Sequence, residues 1–178
     1  TSERILNIIN GFFGLNSKLQ GAEIWHTFFS IKNKESFNAQ RWHRDRDDYN
    51  VIKIYLYLND IDDENGVMNY IPNSLRNKKH QGLSKFSFGS IESWKVYPDN
   101  YKINNLDKKE IIKFVGKKGT IVFVNTVGLH RGGKALKRER LFCTWSYVTP
   151  ASLFGRKKFT LINDLKVSPL NPRDYFLR

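Results

Sequence analysis

The sequence predicts a mainly β fold with a few flanking helices, and three observations carry that expectation. From Val51 to Leu58 the side chains alternate, Lys53, Tyr55 and Tyr57 on one face and Ile54, Leu56 and Leu58 on the other, which is the period of a strand. After it, Asn65-Gly66 supplies the residues that best tolerate the positive φ angles of a tight hairpin turn, and a returning strand is expected to reach Pro72. Two further apolar runs, Gly119 to Thr126 and Leu141 to Val148, have the length and the β-branched and aromatic content of strands.

The other elements follow in chain order. Ser2 can cap a short amphipathic helix in which Ile5, Ile8, Ile9 and Phe12 recur at helical spacing, with Gly11 and Gly14 marking its end; it is expected to pack on the outside of the sheet. Ala22 to Ile31 reads as a strand, with His26 as a hydrogen-bonded core residue. Asn33 to Asn38 is a polar turn. Residues 76–107 form a long irregular stretch rich in Lys, Asn, Ser and Gly, with Phe86, Phe88, Trp94 and Tyr97 dispersed through it and His80 expected in solvent. A stretch of that length in a compact domain reads as a lid or substrate-entrance insertion. Order returns over Lys108 to Val115. Beyond Val148 the chain carries the basic run Arg156-Lys157-Lys158 and three of its five prolines, and is expected to wrap the domain as extended chain.

Size and composition bound the function. A chain of 178 residues, 40% hydrophobic and 14% aromatic, fits one domain over 1–178 with a sizeable core. Its 30 basic and 17 acidic residues leave a formal charge of +13, which favours anionic partners and substrates without naming them. Cys143 is the one cysteine, so no intrachain disulfide can form and a cytoplasmic location is expected. No stretch is long enough to span a bilayer. The chain starts at Thr1 rather than at methionine, which leaves room for an upstream segment.

The chemistry concentrates in Trp42-His43-Arg44-Asp45. In extended chain His43 and Asp45 project to the same side and can hold one ion, and His130 is the proposed third ligand. Two imidazoles and a carboxylate form the facial triad of non-haem Fe(II) oxygenases. A His-x-Asp triplet alone is weak, since it commonly marks a solvated loop. The strands around it add to its weight.

The stretch WHRDRDDYNVIKIYLYLNDIDDENGVMNYIPNS, from Trp42 to Ser74, together with GLHRGGKALKRER, resembles the phytanoyl-CoA dioxygenase-like family of Fe(II)- and 2-oxoglutarate-dependent oxygenases. The likeness runs from Gln40 to Val148. It implies a double-stranded β-helix, the cupin-like jelly roll, and a hydroxylase that uses Fe(II), 2-oxoglutarate and dioxygen on a small organic substrate, for which the chain's positive charge favours an anionic one. It also implies that His43, Asp45 and His130 bind the metal, that Tyr55 borders the cosubstrate with Lys53 as a second cation, and that Arg140 rather than Arg138 anchors the distal carboxylate. Arg140 sits at about the family's offset from the distal histidine, and a guanidinium grips a carboxylate through two parallel bonds. Pro72-Asn73-Ser74-Leu75 departs from the family's Pro-Gly-Ser-His. Asp45 favours hydroxylation over the related halogenases, in which that carboxylate is replaced. Two rivals stay open: a metal-binding jelly roll without oxidative chemistry, and a basic nucleic-acid-binding domain, disfavoured because no nucleic-acid motif is present. Oligomeric state is left open.

Overall fold

The computed structural model describes residues 2–29, 38–83 and 100–152. Among these, seven strands form two antiparallel sheets. One has the order β1-β7-β2-β5, with β1 Lys18–Thr27, β2 Ile52–Tyr57, β5 Ile121–Asn125 and β7 Arg140–Val148. The other has the order β4-β3-β6, with β3 Asn69–Tyr70, β4 Ile112–Lys113 and β6 His130–Arg131.

Helix α1, Glu3–Phe13, covers the outer face of the larger sheet. Ser2 caps it, its Oγ accepting from the Ile5 N–H, and Gly14 ends it in the left-handed conformation at φ 68°. Its buried stripe is Ile5, Leu6, Ile9 and Phe13, packed on Leu19, Ile52, Ile54 and Tyr147. The buried stripe keeps Ile5 and Ile9 of the expected one and is rotated toward Leu6 and Phe13: Ile8 and Phe12 are exposed, because the row that meets the sheet runs through Ile5, Ile9 and Phe13 at four-residue steps. Gly11 lies inside the helix rather than at its end.

Strand β1 begins four residues before the expected start and ends at Thr27. It is an edge strand, so His26 lies outside the core; it is exposed and pairs with Glu139 at 2.7 Å. The remaining long strands fall where alternation places them. On β2 the outward side chains Ile52 and Ile54 join the helix-covered core. Lys53 and Tyr55 point to the opposite face, and there they meet a cavity rather than water.

The expected hairpin does not form. Strand β2 pairs with β5 and β7, while β3 belongs to the other sheet, so the connection crosses between sheets. Asn65 is buried, its φ is not positive, and its amide spans the turn by accepting from Asp62 N–H at 2.6 Å and donating to Asp60 O. Gly66 does take a positive φ of 78°, and a Cβ there would lie 2.6 Å from the Gly133 carbonyl oxygen. The glycine therefore serves a crossing with the segment before β7 rather than a two-residue turn.

Of the expected lid, residues 76–83 and 100–107 are described. They contain a turn of 3-10 helix at Gln81–Leu83 and the short helix α2, Asn100–Asn104. Leu83 and Ile103 close a core with Trp42, Ile71 and Leu129. His80 is not in solvent: its side chain is 11% exposed and its Nε2 lies 3.0 Å from Glu110. The lid aromatics Phe86, Phe88, Trp94 and Tyr97, and the basic run 156–158, lie outside the described residues. No helix among the described residues is long and apolar enough to cross a membrane.

Candidate metal centre

Strand β6 and the segment before β2 lie side by side. The His43 N–H donates to the His130 carbonyl at 2.9 Å and the His130 N–H donates back at 3.0 Å, which sets the two imidazoles against one another with ring centroids 4.2 Å apart. The Asp45 N–H donates to Thr126 O at 2.9 Å and continues the pairing. Since side chains alternate along extended chain, His43 and Asp45 share a side and Arg44 goes to the other. The ligand atoms of His43, Asp45 and His130 all lie within 4.8 Å of one another.

Several contacts hold this arrangement. The Nδ1 of His43 lies 2.8 Å from the Arg41 carbonyl and that of His130 lies 3.0 Å from the Gly128 carbonyl. A carbonyl accepts only, so each Nδ1 carries the proton and each Nε2 keeps its lone pair for a ligand. Behind the triad, the buried guanidinium of Arg44 donates to the carbonyls of Ser74 and of Val127, the latter at 2.8 Å. Ser74 in turn accepts from the Leu129 N–H at 2.8 Å. Gly128 admits the Tyr70 ring, whose hydroxyl would stand 2.1 Å from any added Cβ.

The protonation states suit metal ligation. Burial pushes the His130 imidazole down to about 3, with the neighbouring His43 acting in the same direction, so it is neutral at physiological pH. Burial alone would raise the Asp45 carboxyl; Lys53, then His130 and His43, outweigh it and hold the carboxyl below its ordinary range. Lys53 Nζ lies 2.8 Å from Asp45 Oδ2. That contact is an ion pair, and Oδ2, although buried, has no other partner. A buried carboxylate oxygen with an uncommitted lone pair, beside two imidazole lone pairs, fits a divalent metal with mixed nitrogen and oxygen preference.

A cavity of about 700 Å³, open mouth included, adjoins the cluster and is lined by His43, His130, Lys53, Tyr55 and Arg140 among others. Register explains the lining. Across the inner face of the larger sheet, Glu23 stands opposite Thr144 and Thr144 opposite Tyr55; one rung on, Trp25, Phe142 and Tyr57 form the next row, and Arg140 lies beside Thr27. Burial raises the hydroxyls of Tyr55 and Tyr57 to about 12, so both stay protonated. The Arg140 guanidinium lies over the Phe142 ring at 4.8 Å, and its buried Nε has no hydrogen-bond partner. Arg138 instead pairs at the surface with Asp62 and Glu64.

Sequence reasoning did not single out Arg44, Glu23, Trp25 or Thr144. For Arg44 the signal was present: a long cation between two inward ligands has to project behind them, and burial there requires acceptors. The other three are visible only once the β1–β7 register is known.

Two antiparallel sheets with a cluster of two imidazoles and one carboxylate beside the cavity between them define the class, a cupin-like jelly roll able to carry a metal centre. A model of the phytanoyl-CoA dioxygenase family matches residues 5–136, and the chain belongs to that family. The match contains all three cluster residues and stops short of Arg140. The fold is also that of solved structures: EctD from S. alaskensis with 2-oxoglutarate and 5-hydroxyectoine, at TM-score 0.61 and 18% identity, over 89% of this chain and 55% of that one; AviO1 from Streptomyces viridochromogenes Tue57, at 0.55 and 17%, over 87% and 61%; and SnoN, a non-heme alpha ketoglutarate dependent epimerase from nogalamycin biosynthesis, at 0.53 and 15%, over 82% and 52%. The chain thus spans between 52% and 61% of the length of these three proteins. No match is found among the curated proteins.

Proposed function

We propose that the chain is a non-haem Fe(II)- and 2-oxoglutarate-dependent dioxygenase that hydroxylates an unactivated C–H bond of a small, anionic substrate. The observation that carries this reading is the convergence of His43, Asp45 and His130, with ligand atoms within 4.8 Å of one another, beside a cavity that also holds Arg140. Family membership and the fold it shares with EctD support it. The charge of +13 supports an anionic substrate.

Each residue then has a task. His43, Asp45 and His130 would hold Fe(II) on one side, leaving the cavity side for cosubstrate and dioxygen. When bound, the metal with 2-oxoglutarate and dioxygen supplies the oxidant, the cosubstrate leaving as succinate and carbon dioxide. Arg140 pairs with the distal carboxylate, its unpartnered Nε offering one of the two parallel donors. Tyr55 and Tyr57, kept neutral by burial, present polar edges without adding charge. The Tyr57 hydroxyl is fixed by donation to Phe114 O at 2.6 Å. Lys53 adds a second cation near Asp45.

The test is anaerobic addition of Fe(II) and 2-oxoglutarate, followed by the weak visible charge-transfer band of the chelate. His43→Ala and Asp45→Ala should abolish the band, and an unchanged band would show that the ligands lie elsewhere. Arg140→Met should keep metal binding and weaken 2-oxoglutarate by at least about 30-fold, the loss expected for one partner of a buried charge pair. Metal binding without succinate formation in air would leave the non-oxidative jelly roll as the better reading. Product analysis on candidate substrates then tests hydroxylation itself, since SnoN, on the same fold, is an epimerase.

A further inference from the structure

Among the described residues, Lys53 is a cation whose carboxylate partner belongs to the candidate metal cluster. It sits on β2, an inner strand, with its backbone opposite Val124 on β5 and Ser146 on β7. Its side chain is 25% exposed and that of Asp45 is 14% exposed, so the 2.8 Å ion pair is shielded from bulk water. The oxygen it contacts belongs to one of the three groups placed to ligate the metal. A divalent cation and an ammonium would therefore share one carboxylate, with the lysine rooted on a strand paired on both sides.

We propose that Lys53 makes metal and cosubstrate binding interdependent: its charge weakens the hold on a divalent cation alone and strengthens the hold on that cation together with a dicarboxylate. The inference rests on the reading of the site given above and goes on to say how its two ligands communicate. Charge accounting supports it. Counting the two imidazoles as uncharged, as ligation requires, Asp45, Lys53 and Arg140 sum to about one positive charge; a divalent ion raises this to about three, and a dicarboxylate returns it to about one, in surroundings where like charges repel far more than in water. Two other carboxylates bear on this sum. Glu23 stands at the exposed rim of the cavity, and Asp47 acts on Lys53 at longer range, less strongly than Asp45. Neither lies in the cluster of metal-ligand atoms. Linkage is reciprocal, so whatever Lys53 does to the metal in the presence of cosubstrate it does equally to the cosubstrate in the presence of metal.

Opposite signs separate this role from a simpler one. A lysine that only positioned Asp45 would, when replaced, leave the metal bound more weakly. A lysine that competes with the metal for Asp45 would, when neutralised, leave it bound more tightly.

The experiment is a titration of Mn(II) into the whole chain under anaerobic conditions, reading free Mn(II) by electron paramagnetic resonance, with and without 2-oxoglutarate. It compares the wild-type protein, Lys53→Gln, Lys53→Met and Lys53→Arg. The glutamine keeps a donor near Asp45 and removes the charge, the methionine keeps only the shape, and the arginine keeps the charge. Either neutral variant that folds suffices. It is expected to bind Mn(II) alone more tightly than wild type and to lose between about 5- and 150-fold of the enhancement that 2-oxoglutarate confers. Lys53→Arg is expected to restore the enhancement. Weaker binding of Mn(II) alone in the neutral variants, or an undiminished enhancement, overturns the proposal, and so does a failure of both neutral variants to fold combined with a Lys53→Arg protein that lacks the enhancement. If wild type binds no Mn(II) under either condition, the oxygenase reading itself falls and this inference with it, an outcome distinct from binding without interdependence.

Discussion

The larger sheet holds together through strands of five to ten residues and an apolar interface with α1, whereas the smaller sheet has strands of two residues whose flanking segments are tied by side chains to backbone carbonyls. The first is stabilised mainly by apolar area removed from water, which is non-directional and tolerant of exchange among similar shapes. The second depends on directed bonds, Arg44 to Ser74 and Val127, Ser74 to Leu129, and the paired backbones of His43 and His130. The candidate metal cluster sits on the second. A centre that must hold three groups to a fraction of an ångström gains from geometry fixed by directed bonds, while the larger sheet, anchored by its apolar face under α1, turns Lys53, Tyr55 and Arg140 toward the cavity.

That contrast gives a first prediction. Ile54, 2% exposed beneath α1, belongs wholly to the apolar half. Ile54→Ala should lower the unfolding free energy by about 2–5 kcal/mol, measured by urea denaturation, while the folded variant binds metal as wild type does. A parallel loss of metal affinity would mean that the halves are not separable.

Arg44→Met sharpens the same comparison from the other side. Removing the guanidinium leaves at least two buried carbonyls without their donor, a loss of about 1–3 kcal/mol. Because Arg44 is the residue between the two inward ligands, metal affinity should fall as well, by roughly 10–100-fold, the range for loss of a supporting contact. A denaturation curve with a metal titration on the same samples checks both. Stability loss with unaltered metal affinity would reduce Arg44 to a structural contact.

The two halves also differ in how much of them can be read from sequence. Alternation at Val51 to Leu58 and the apolar runs at Gly119 to Thr126 and Leu141 to Val148 located β2, β5 and β7, because a strand with one face on a core shows its period over five or more residues. β3, β4 and β6 are too short to show any period. Asn65-Gly66 misled for a related reason: the asparagine meets the preference of a tight turn yet uses its side chain to bridge Asp60 and Asp62, and a pair preference cannot report which strand follows. Lys53 and Tyr55 stayed ambiguous because both faces of β2 are enclosed, one by α1 and one by the cavity, and alternation does not say which is which. His43, Asp45 and His130 were singled out through spacing and resemblance together, and their ligand atoms lie within 4.8 Å of one another. Arg44 was not, since its partners are carbonyls, which leave no trace in sequence.

Arg138 and Arg140 provide the smallest and most discriminating effect. Two residues apart, they occupy opposite environments: Arg138 lies at the surface with Asp62 and Glu64, Arg140 at the cavity against Phe142. An exposed ion pair contributes about 0–1 kcal/mol, because solvent screens the charges and two long side chains must be ordered. Arg138→Ala should therefore shift the urea midpoint slightly, should lose even that shift in high salt, and should leave 2-oxoglutarate affinity unchanged. If instead it weakened the cosubstrate as much as Arg140→Met, the anchor would belong to the surface loop rather than to β7, and the cosubstrate end of the cavity would have to be redrawn around residues 132–139.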